Sequence, residues 1–283
     1  MKILLILLAA LLLSSCQGEV PTATQPSVAA SPVPADTRTP TPTLSPSPSV
    51  QPPTPTLTPP PFRVCSPLEE ETFDSLPAIL VNPLKIPAIG KDDGHHGLDF
   101  AYYQRGERES IQGIEIYAIL PGKIVLTLDD VIPYGYTVLI ETPLKELPLS
   151  LQNELLAAYQ PIPENVVYQG ECPSFQAPEN AGQLSVYHLY AHMETLPSFL
   201  AGDPVACGQH LGTVGNTGRS SNPHLHLETR LGPSGLDIKS MAFYEAIYSE
   251  VQRGAYCLWR MSGYYQLFDP FLLFDAYGQN LTD

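Results

Sequence analysis

The residues of this chain that could do chemistry are histidines and carboxylates in short motifs. "GHHGLD" at residues 94–99 places His95 and Asp99 four positions apart, with Gly97 between them. Imidazole and carboxylate groups together suit Zn²⁺. Glycine lets the backbone approach a metal closely. We therefore expect His95 and Asp99 to be candidate metal ligands.

Two further histidine-bearing segments, residues 187–193 and 223–228, show the alternation of β-strands. Side chains of a strand alternate between its two faces, so every second residue shares a face. The two strands could thus present their histidines into one groove. The predicted shared faces carry His188, Tyr190 and His192 in one strand, and His224, His226 and Glu228 in the other.

Other catalytic signatures are missing from the sequence. It has no HExxH, no GxSxG and no CxxC, which excludes a helical zincin site, a nucleophile elbow and a clustered cysteine metal site. The formal net charge is −15, and no basic cluster is present. Nucleic-acid binding is therefore not expected.

Residues 1–16, MKILLILLAALLLSSC, have the layout of a secretory signal, with Lys2, an apolar run and small residues before Cys16. The apolar run is too short for a membrane-spanning helix. The ending "LSSC" resembles a bacterial lipobox, which implies that Cys16 becomes the lipidated N-terminus. The alternative is an ordinary cleaved signal in which Cys16 has no role.

Residues 17–62 form a Pro/Thr/Ser-rich segment without apolar periodicity, which predicts a disordered stalk. Dense proline favours an extended conformation that rises about 3.1 Å per residue. A lipid anchor followed by such a spacer favours a head, residues 63–283, that works away from the membrane. The alternative is a disordered tail with no requirement for reach.

The head is predicted to be β-rich. Strand-like segments occur at residues 113–128, 135–142, 184–193 and 224–231, and Gly, Pro and Asn separate them. A weak helical period occurs at residues 144–159 and again at 238–253. Residues 210–224 are rich in Gly, Ser and Asn and are predicted to be a loop.

Besides Cys16, the chain has four cysteines, and an even number in an exported domain predicts two disulfides. Four cysteines allow three pairings. Because Cys65 and Cys257 lie near the two ends of the head, we expect them to pair, which leaves Cys172 with Cys207.

The motifs "HHGLD" (95–99), "YAH" (190–192) and "HLH" (224–226), in this order, resemble those of the lysostaphin/LytM-type zinc metallopeptidases. Segments between residues 119 and 274 support the match. The resemblance implies an all-β fold with an antiparallel β-sandwich or barrel-like core, carrying loop and short helical inserts. It also implies one Zn²⁺ per domain, in a groove between loops.

The resemblance assigns roles to five residues. His95, Asp99 and His226 match three zinc ligands, and this leaves the open fourth position of a catalytic site. His192 and His224 match two histidines beside the metal, one acting as general base and the other holding that base or stabilising the oxyanion. The sequence leaves open which does which.

For some residues the sequence leaves two alternatives, and for others it predicts no functional role. Glu228 and Tyr190 are either groove residues near the metal or part of a solvated strand face. His96, His188 and His210 match no functional position and are predicted to be surface or loop histidines. The chain departs from the family pattern in two ways. It has inserts near residues 143–183 and 233–264, and Glu141–Thr142 stand in place of a histidine found in relatives. These departures bear on which substrate is bound and not on the metal site.

These features predict a lipid-anchored, extracytoplasmic zinc metalloendopeptidase that hydrolyses peptide bonds in peptidoglycan crosslinks. Its expected partners are peptidoglycan peptides and, through the lipid anchor, a membrane. One alternative is a non-catalytic module that binds cell wall or activates a hydrolase. Another is a peptidase for other extracellular proteins, since the chemistry requires only an amide.

Overall fold

The computed structural model describes residues 62–180 and 182–277, without the side chains of residues 276 and 277. All of them belong to one compact unit, Thr58–Asp283. The predicted signal, Cys16 and the predicted stalk up to residue 61 lie outside the described residues. Within the described ranges, no helix combines the length and apolar character that a membrane span requires.

The strands of the described ranges fall into two sheets, in which all pairings are antiparallel. The strands are β1 (Leu80–Asn82), β2 (Leu98–Phe100), β3 (Glu115–Tyr117), β4 (Gly122–Val131), β5 (Gly135–Pro143), β6 (Leu184–Met193), β7 (Pro204–Val205), β8 (His210–Thr213), β9 (Leu225–Pro233) and β10 (Gln266–Leu267). The large sheet has the order β1-β2-β9-β6-β5-β4-β7, and β10 pairs with β9. The other sheet pairs β3 with β8.

Both faces of the large sheet are covered, which is why β6 and β9 are buried along nearly their whole length. Val138, Tyr190 and Leu227 join one apolar cluster. Leu139 and Leu189 join a second cluster on the opposite face. Apolar side chains at alternate positions are thus buried on either side, and the predicted all-β antiparallel core is confirmed.

Some strand predictions need correction. The predicted strand at residues 113–128 is interrupted, and its two parts, β3 and β4, belong to different sheets. The predicted loop at residues 210–224 begins with a strand, β8, which pairs with β3. Only residues 215–224 lack β-pairing, because Val214 forms a bridge with Met193.

The helices are short and lie mostly in the predicted inserts. They are α1 (Leu149–Ala158), α2 (Glu250–Arg260) and α3 (Phe271–Tyr277), with 3-10 turns at Leu76–Ile79 and Leu144–Glu146. The helical period at residues 144–159 matches α1. The helix predicted at residues 238–253 is wrong in position, because Ser249 and Gln252 form a capping box that begins α2 at Glu250.

Helix α2, from the insert near residues 233–264, packs on one face of the large sheet. Tyr256 and Trp259 of this helix are buried in the same cluster as Leu189 of β6. The ring of Trp259 meets that of Tyr187 edge-on, with centroids 5.9 Å apart. This insert is therefore part of the core and not a loose surface loop.

The four cysteines of the head form two disulfides, but the expected pairing is wrong. Cys65 bonds to Cys207, and Cys172 bonds to Cys257. Closeness to the ends of the head was a poor guide, because Cys257 lies in α2 and faces the first insert. The Cys172–Cys257 bond thus joins the two inserts covalently.

Candidate metal and active site

The three predicted metal ligands converge beside β2 and β9. Asp99 and His226 are register partners on these strands, so their side chains leave the same face of the sheet. His226 Nδ1 lies 2.7 Å and His95 Nε2 3.1 Å from Asp99 Oδ1. The backbone of His95 pairs with that of Lys85, and Asn82 Nδ2 donates to Asp99 Oδ2 at 2.9 Å. The three ligand atoms lie within 4.8 Å of one another.

Both imidazoles of this cluster are held through their second nitrogen. His95 Nδ1 lies 3.0 Å from the carbonyl oxygen of Pro83, which can only accept, so Nδ1 carries the proton. His226 Nε2 lies 3.2 Å from Glu228 Oε1, which orients the ring in the same way. The lone pairs of His95 Nε2 and His226 Nδ1 are thereby left for a metal, as oxygen partners of ligating histidines commonly ensure.

Gly97 is required by the close packing of this site. A Cβ atom at Gly97 would lie 2.5 Å from the carbonyl oxygen of Leu227 and 2.9 Å from Cε1 of His226. No side chain fits there without moving β9 or the imidazole. The glycine of the HxxxD motif therefore permits the close approach of two ligand-bearing segments, as its type predicts.

The carboxylates of this cluster stabilise positive charge beside them. Burial by itself lowers the pKa of His226, yet its hydrogen bonds to Asp99 and Glu228 raise that pKa to about 9. Burial likewise raises the pKa of Asp99, but hydrogen bonds from His226 and His95 outweigh it and hold the pKa below its usual range. Two nitrogen donors and a carboxylate oxygen are ligands that Zn²⁺ takes, so the residues fit this metal.

His192 and His224 lie beside the cluster. His192 Nδ1 donates to the carbonyl oxygen of Thr217 at 2.8 Å, and His224 Nδ1 to that of Asn222 at 2.8 Å. Each ring therefore has its lone pair on Nε2. His192, His224 and His226 also form a second group of three whose ligand atoms lie within 4.8 Å, so two possible ligand sets share His226.

The predicted common face of β6 is wrong for His188 and Tyr190. Ala191 of β6 is the register partner of His226, whereas Tyr190 is the partner of Leu227. Register partners in antiparallel strands share a face. His188, two residues from Tyr190 on the same strand, therefore faces away from the metal ligands together with it.

His192 reaches the site through a β-bulge. Opposite β5, the register of β6 shifts between Tyr190 and Met193, so that β6 has one extra residue. His192 has a φ of 60°, and its backbone N–H donates to the carbonyl oxygen of Tyr134. A bulge re-aims a side chain, so strict alternation fails at His192, one of the predicted site residues.

Two of the three histidines predicted to be surface or loop residues are buried. His96 is 1% exposed, and its Nδ1 accepts from Arg230 at 2.9 Å. His188 is fully buried, with Nδ1 2.9 Å from the hydroxyl of Tyr190. His210 is exposed on β8, as predicted.

Glu228 is a buried residue behind the metal ligands. It is fully inaccessible to solvent and contacts His226, so the solvated-face alternative is wrong for this residue. Tyr190 is the other residue with an open prediction, and it does not face the groove. Its hydroxyl accepts a hydrogen bond from Ile119 N on the opposite face of the large sheet.

The site opens into a groove of about 270 Å³, and sequence reasoning missed part of its lining. The guanidinium of Arg219 is exposed there and lies 5.1 Å above the ring of Tyr244. These residues come from loops and an insert without periodic patterns, so no sequence signal marks them. The missed lining residues are Pro133, Tyr134, Arg219, Ser220, Ser221 and Arg260.

Three candidate ligands with an open side match the pattern of a catalytic metal site. Comparison with known proteins agrees with this class. The profile of Peptidase family M23 matches residues 179–238, a segment with β6 to β9 and with His192, His224 and His226. The predicted resemblance to LytM-type peptidases of this family is thereby confirmed. His95 and Asp99 precede the matched segment and join the site through geometry.

Solved structures with similarity to the chain include M23 and related peptidases. A catalytic domain variant of the prophage-encoded M23 protein EnpA from Enterococcus faecalis has 23% identity and a TM-score of 0.30, covering 54% of this chain and 78% of that one. The catalytic domain of the antimicrobial peptidase lysostaphin from Staphylococcus simulans has 20% identity and a TM-score of 0.32, covering 59% and 90%.

A zinc-containing peptidase from Vibrio cholerae has 19% identity and a TM-score of 0.28, covering 59% of this chain. The present chain spans only 33% of that protein. No curated protein matches the chain.

Proposed function

We propose that the chain is a zinc-dependent endopeptidase that hydrolyses peptide bonds in peptidoglycan crosslinks. One observation carries this proposal: His95 Nε2, Asp99 Oδ1 and His226 Nδ1 converge beside two imidazoles in an open groove. Together with the M23 match, this arrangement supports amide hydrolysis at a metal.

In this proposal His95, Asp99 and His226 hold the zinc ion. The carboxylate favours this set over the all-histidine set, because Asp99 stays ionised and offsets the charge of a divalent cation. When bound, zinc supplies Lewis acidity, which polarises the scissile carbonyl and lowers the pKa of a water molecule.

His192 and His224 do the proton chemistry. Burial lowers the pKa of His192 to about 3 and also lowers that of His224, so both rings are neutral near neutral pH. A neutral ring with its lone pair on Nε2 can accept a proton from water. The ring that gains this proton can then donate it to the leaving amine.

An exposed cation favours an acidic peptide substrate. Arg219 lines the groove and stacks on Tyr244, and no carboxylate of the described residues forms an ion pair with it. Stem peptides of peptidoglycan carry free carboxylates, whereas glycine-only peptides offer none within the chain. Arg219 can pair with such a carboxylate, which supports cell-wall peptides over glycine-rich ones.

The membrane attachment is also part of the proposal. The lipobox-like "LSSC" supports a lipidated Cys16 at the start of the mature chain, outside the cytoplasm. Fractionation of cells tests this: the wild-type chain should sediment with membranes, and a Cys16→Ser variant should not. Equal sedimentation of both chains would contradict lipid anchoring.

The decisive experiment combines metal analysis with a digestion assay. The purified head should contain one zinc ion, and mass spectrometry should detect cleaved crosslinks after incubation with crosslinked muropeptides, but not with a chelator present. Absence of stoichiometric zinc, or full cleavage by His192→Ala, would contradict the mechanism. Cell-wall binding without any product, unchanged by zinc removal, would favour the non-catalytic module.

A further inference from the structure

The carboxylate of Glu228 is a hub, by which we mean that it contacts the proposed ligand His226 and also several buried side chains behind it. Its Oε1 accepts from the hydroxyl of Tyr134 at 2.9 Å and lies 3.2 Å from His226 Nε2. Its Oε2 accepts from Arg230 Nε at 2.9 Å and from the indole of Trp259 at 3.2 Å. A fully buried carboxylate needs such partners to remain ionised. The orientation of His226 therefore depends on groups behind Glu228.

Arg260, the last residue of α2, links this hub to a second segment. Its NH1 lies 3.7 Å from Glu228 Oε1, and its Nε donates to Asp92 Oδ1 at 2.7 Å. Asp92 also accepts hydrogen bonds from the hydroxyls of Tyr256 and Tyr244. The planar guanidinium presents donors in fixed directions, so one side chain bridges two carboxylates.

The two carboxylates that Arg260 bridges lie close in sequence to two proposed metal ligands. Asp92 lies three residues before the ligand His95, and Glu228 lies two residues after the ligand His226. Arg260 thus joins the loop that carries one metal ligand to the strand that carries another. Neither segment belongs to the insert, whereas Arg260 does.

The insert holds Arg260 firmly. The capping box fixes the start of α2, the Cys172–Cys257 disulfide ties the helix to the other insert, and Trp259 is buried against the sheet. Burial of the guanidinium is compensated by the two carboxylates and by the rings of Tyr134 and Tyr256. The bridge therefore has a rigid support.

We infer that Arg260 is a positioning residue for the metal centre, through which the insert near residues 233–264 sets the spacing of His95 and His226. This inference rests on the proposed zinc site. Partners behind the ligands of a metal typically contribute roughly 10- to 100-fold to metal affinity. Arg260 lines the groove, but among the described residues its ion pairs are with Glu228 and Asp92 and not with the proposed ligands, so it acts on the metal through these two carboxylates.

The test compares zinc affinity, by competition with a chelator, in the intact protein and its variants. Arg260→Gln should weaken zinc binding about 10-fold or more, and Arg260→Lys should fall between, because an ammonium cannot bridge both carboxylates. Arg253→Gln is the matched control: it lies on the same helix, carries the same charge and contacts neither carboxylate. Its zinc affinity should equal that of the wild type.

A double-mutant cycle separates positioning from simple loss of fold. Arg260→Gln and Glu228→Gln should be non-additive in zinc affinity if they act along one path. Should Arg260→Gln fail to fold, Asp92→Asn removes the other end of the bridge and should weaken zinc several-fold by itself. Wild-type affinity in a folded Arg260→Gln or Asp92→Asn protein overturns the inference, whereas a wild-type protein without zinc overturns the proposed function.

Discussion

The imidazole rings of His192 and His224 lie with their centroids 4.7 Å apart, and each ring donates Nδ1–H to a backbone carbonyl. A carbonyl oxygen can only accept a hydrogen bond, so each ring carries its proton on Nδ1. Both rings are therefore fixed in the same tautomer. The pair therefore presents two lone pairs on Nε2 next to the metal ligands. This relationship makes the roles of the histidines separable by substitution.

The first prediction concerns His226 of β9 and His224, which lies just before this strand. His226→Ala should abolish zinc binding, because it removes the residue common to both possible ligand sets. His224→Ala should retain most of the zinc and lose about 10²- to 10⁴-fold in turnover, the usual contribution of a general acid or base. Zinc content by plasma mass spectrometry and kcat on muropeptides measure the two effects.

The choice between the two ligand sets follows from a second pair of variants. If His95 and Asp99 hold the metal, His95→Ala should lose zinc and His192→Ala should keep it. The opposite result would identify the all-histidine set as the metal site. Equal loss of zinc in His224→Ala and His226→Ala would contradict the proposed division of roles.

Gly97→Ala should damage the metal site without altering any ligand. The added methyl would lie 2.5 Å from the carbonyl oxygen of Leu227 and 2.9 Å from the ring of His226. Overpacking of this kind typically costs about 1–3 kcal/mol. We expect both a lower free energy of unfolding and weaker zinc binding. Gly182→Ala, where no atom lies within 4 Å of the added methyl and φ is not positive, is the control for glycine replacement.

Removal of the disulfide between the inserts should destabilise the head. The Cys172–Cys257 bond closes a loop with a sequence separation of 85, and loss of such a bond typically costs about 2–4 kcal/mol. A Cys172→Ser/Cys257→Ser protein should show this loss in urea unfolding. Because α2 carries Trp259 and Arg260, the zinc affinity of this variant should also fall. An unchanged affinity would contradict the coupling between the insert and the metal site.

His188 should make stability depend on pH. Burial lowers its pKa from 6.5 to about 3, while Thr142 Oγ1 lies 3.2 Å from its Nε2 and the Tyr190 hydroxyl 2.9 Å from its Nδ1. Between these two pKa values the unfolded chain binds a proton that the folded chain does not. The stability from the neutral ring is therefore present above about pH 6.5 and is lost as the pH falls towards about 3.

The measurement is the difference in unfolding free energy between wild type and His188→Gln at several pH values. The glutamine amide can hydrogen-bond but does not titrate, so the variant should lose a slope of up to about 1.4 kcal/mol per pH unit across this window. His210→Gln, which replaces an exposed histidine, should leave the slope unchanged. A His188→Gln protein with the slope of the wild type would refute the prediction.

Local patterns predicted the site better than they predicted its support. The spacing of His95 and Asp99 and the alternation of His224 and His226 depend on one loop and one strand, so sequence exposes them. The position of His192 depends on a bulge, which alternation cannot show. Arg260 reaches Glu228 only because an insert folds back on the sheet, and such long-range contacts leave no periodic trace. The disulfide pairing was missed for the same reason.

The Cys65–Cys207 disulfide also decides how the head responds to mechanical load. Cys65 lies near the start of the described residues, and Cys207 lies in the turn between β7 and β8. A force applied at the N-terminal side of Cys65 acts on this covalent bond first. The backbone hydrogen bonds between residue 69 and β3 therefore cannot break one after another before the disulfide is loaded. Force is therefore shared with a second point of the fold, 142 residues further along the chain, and the first segment cannot be stripped off alone.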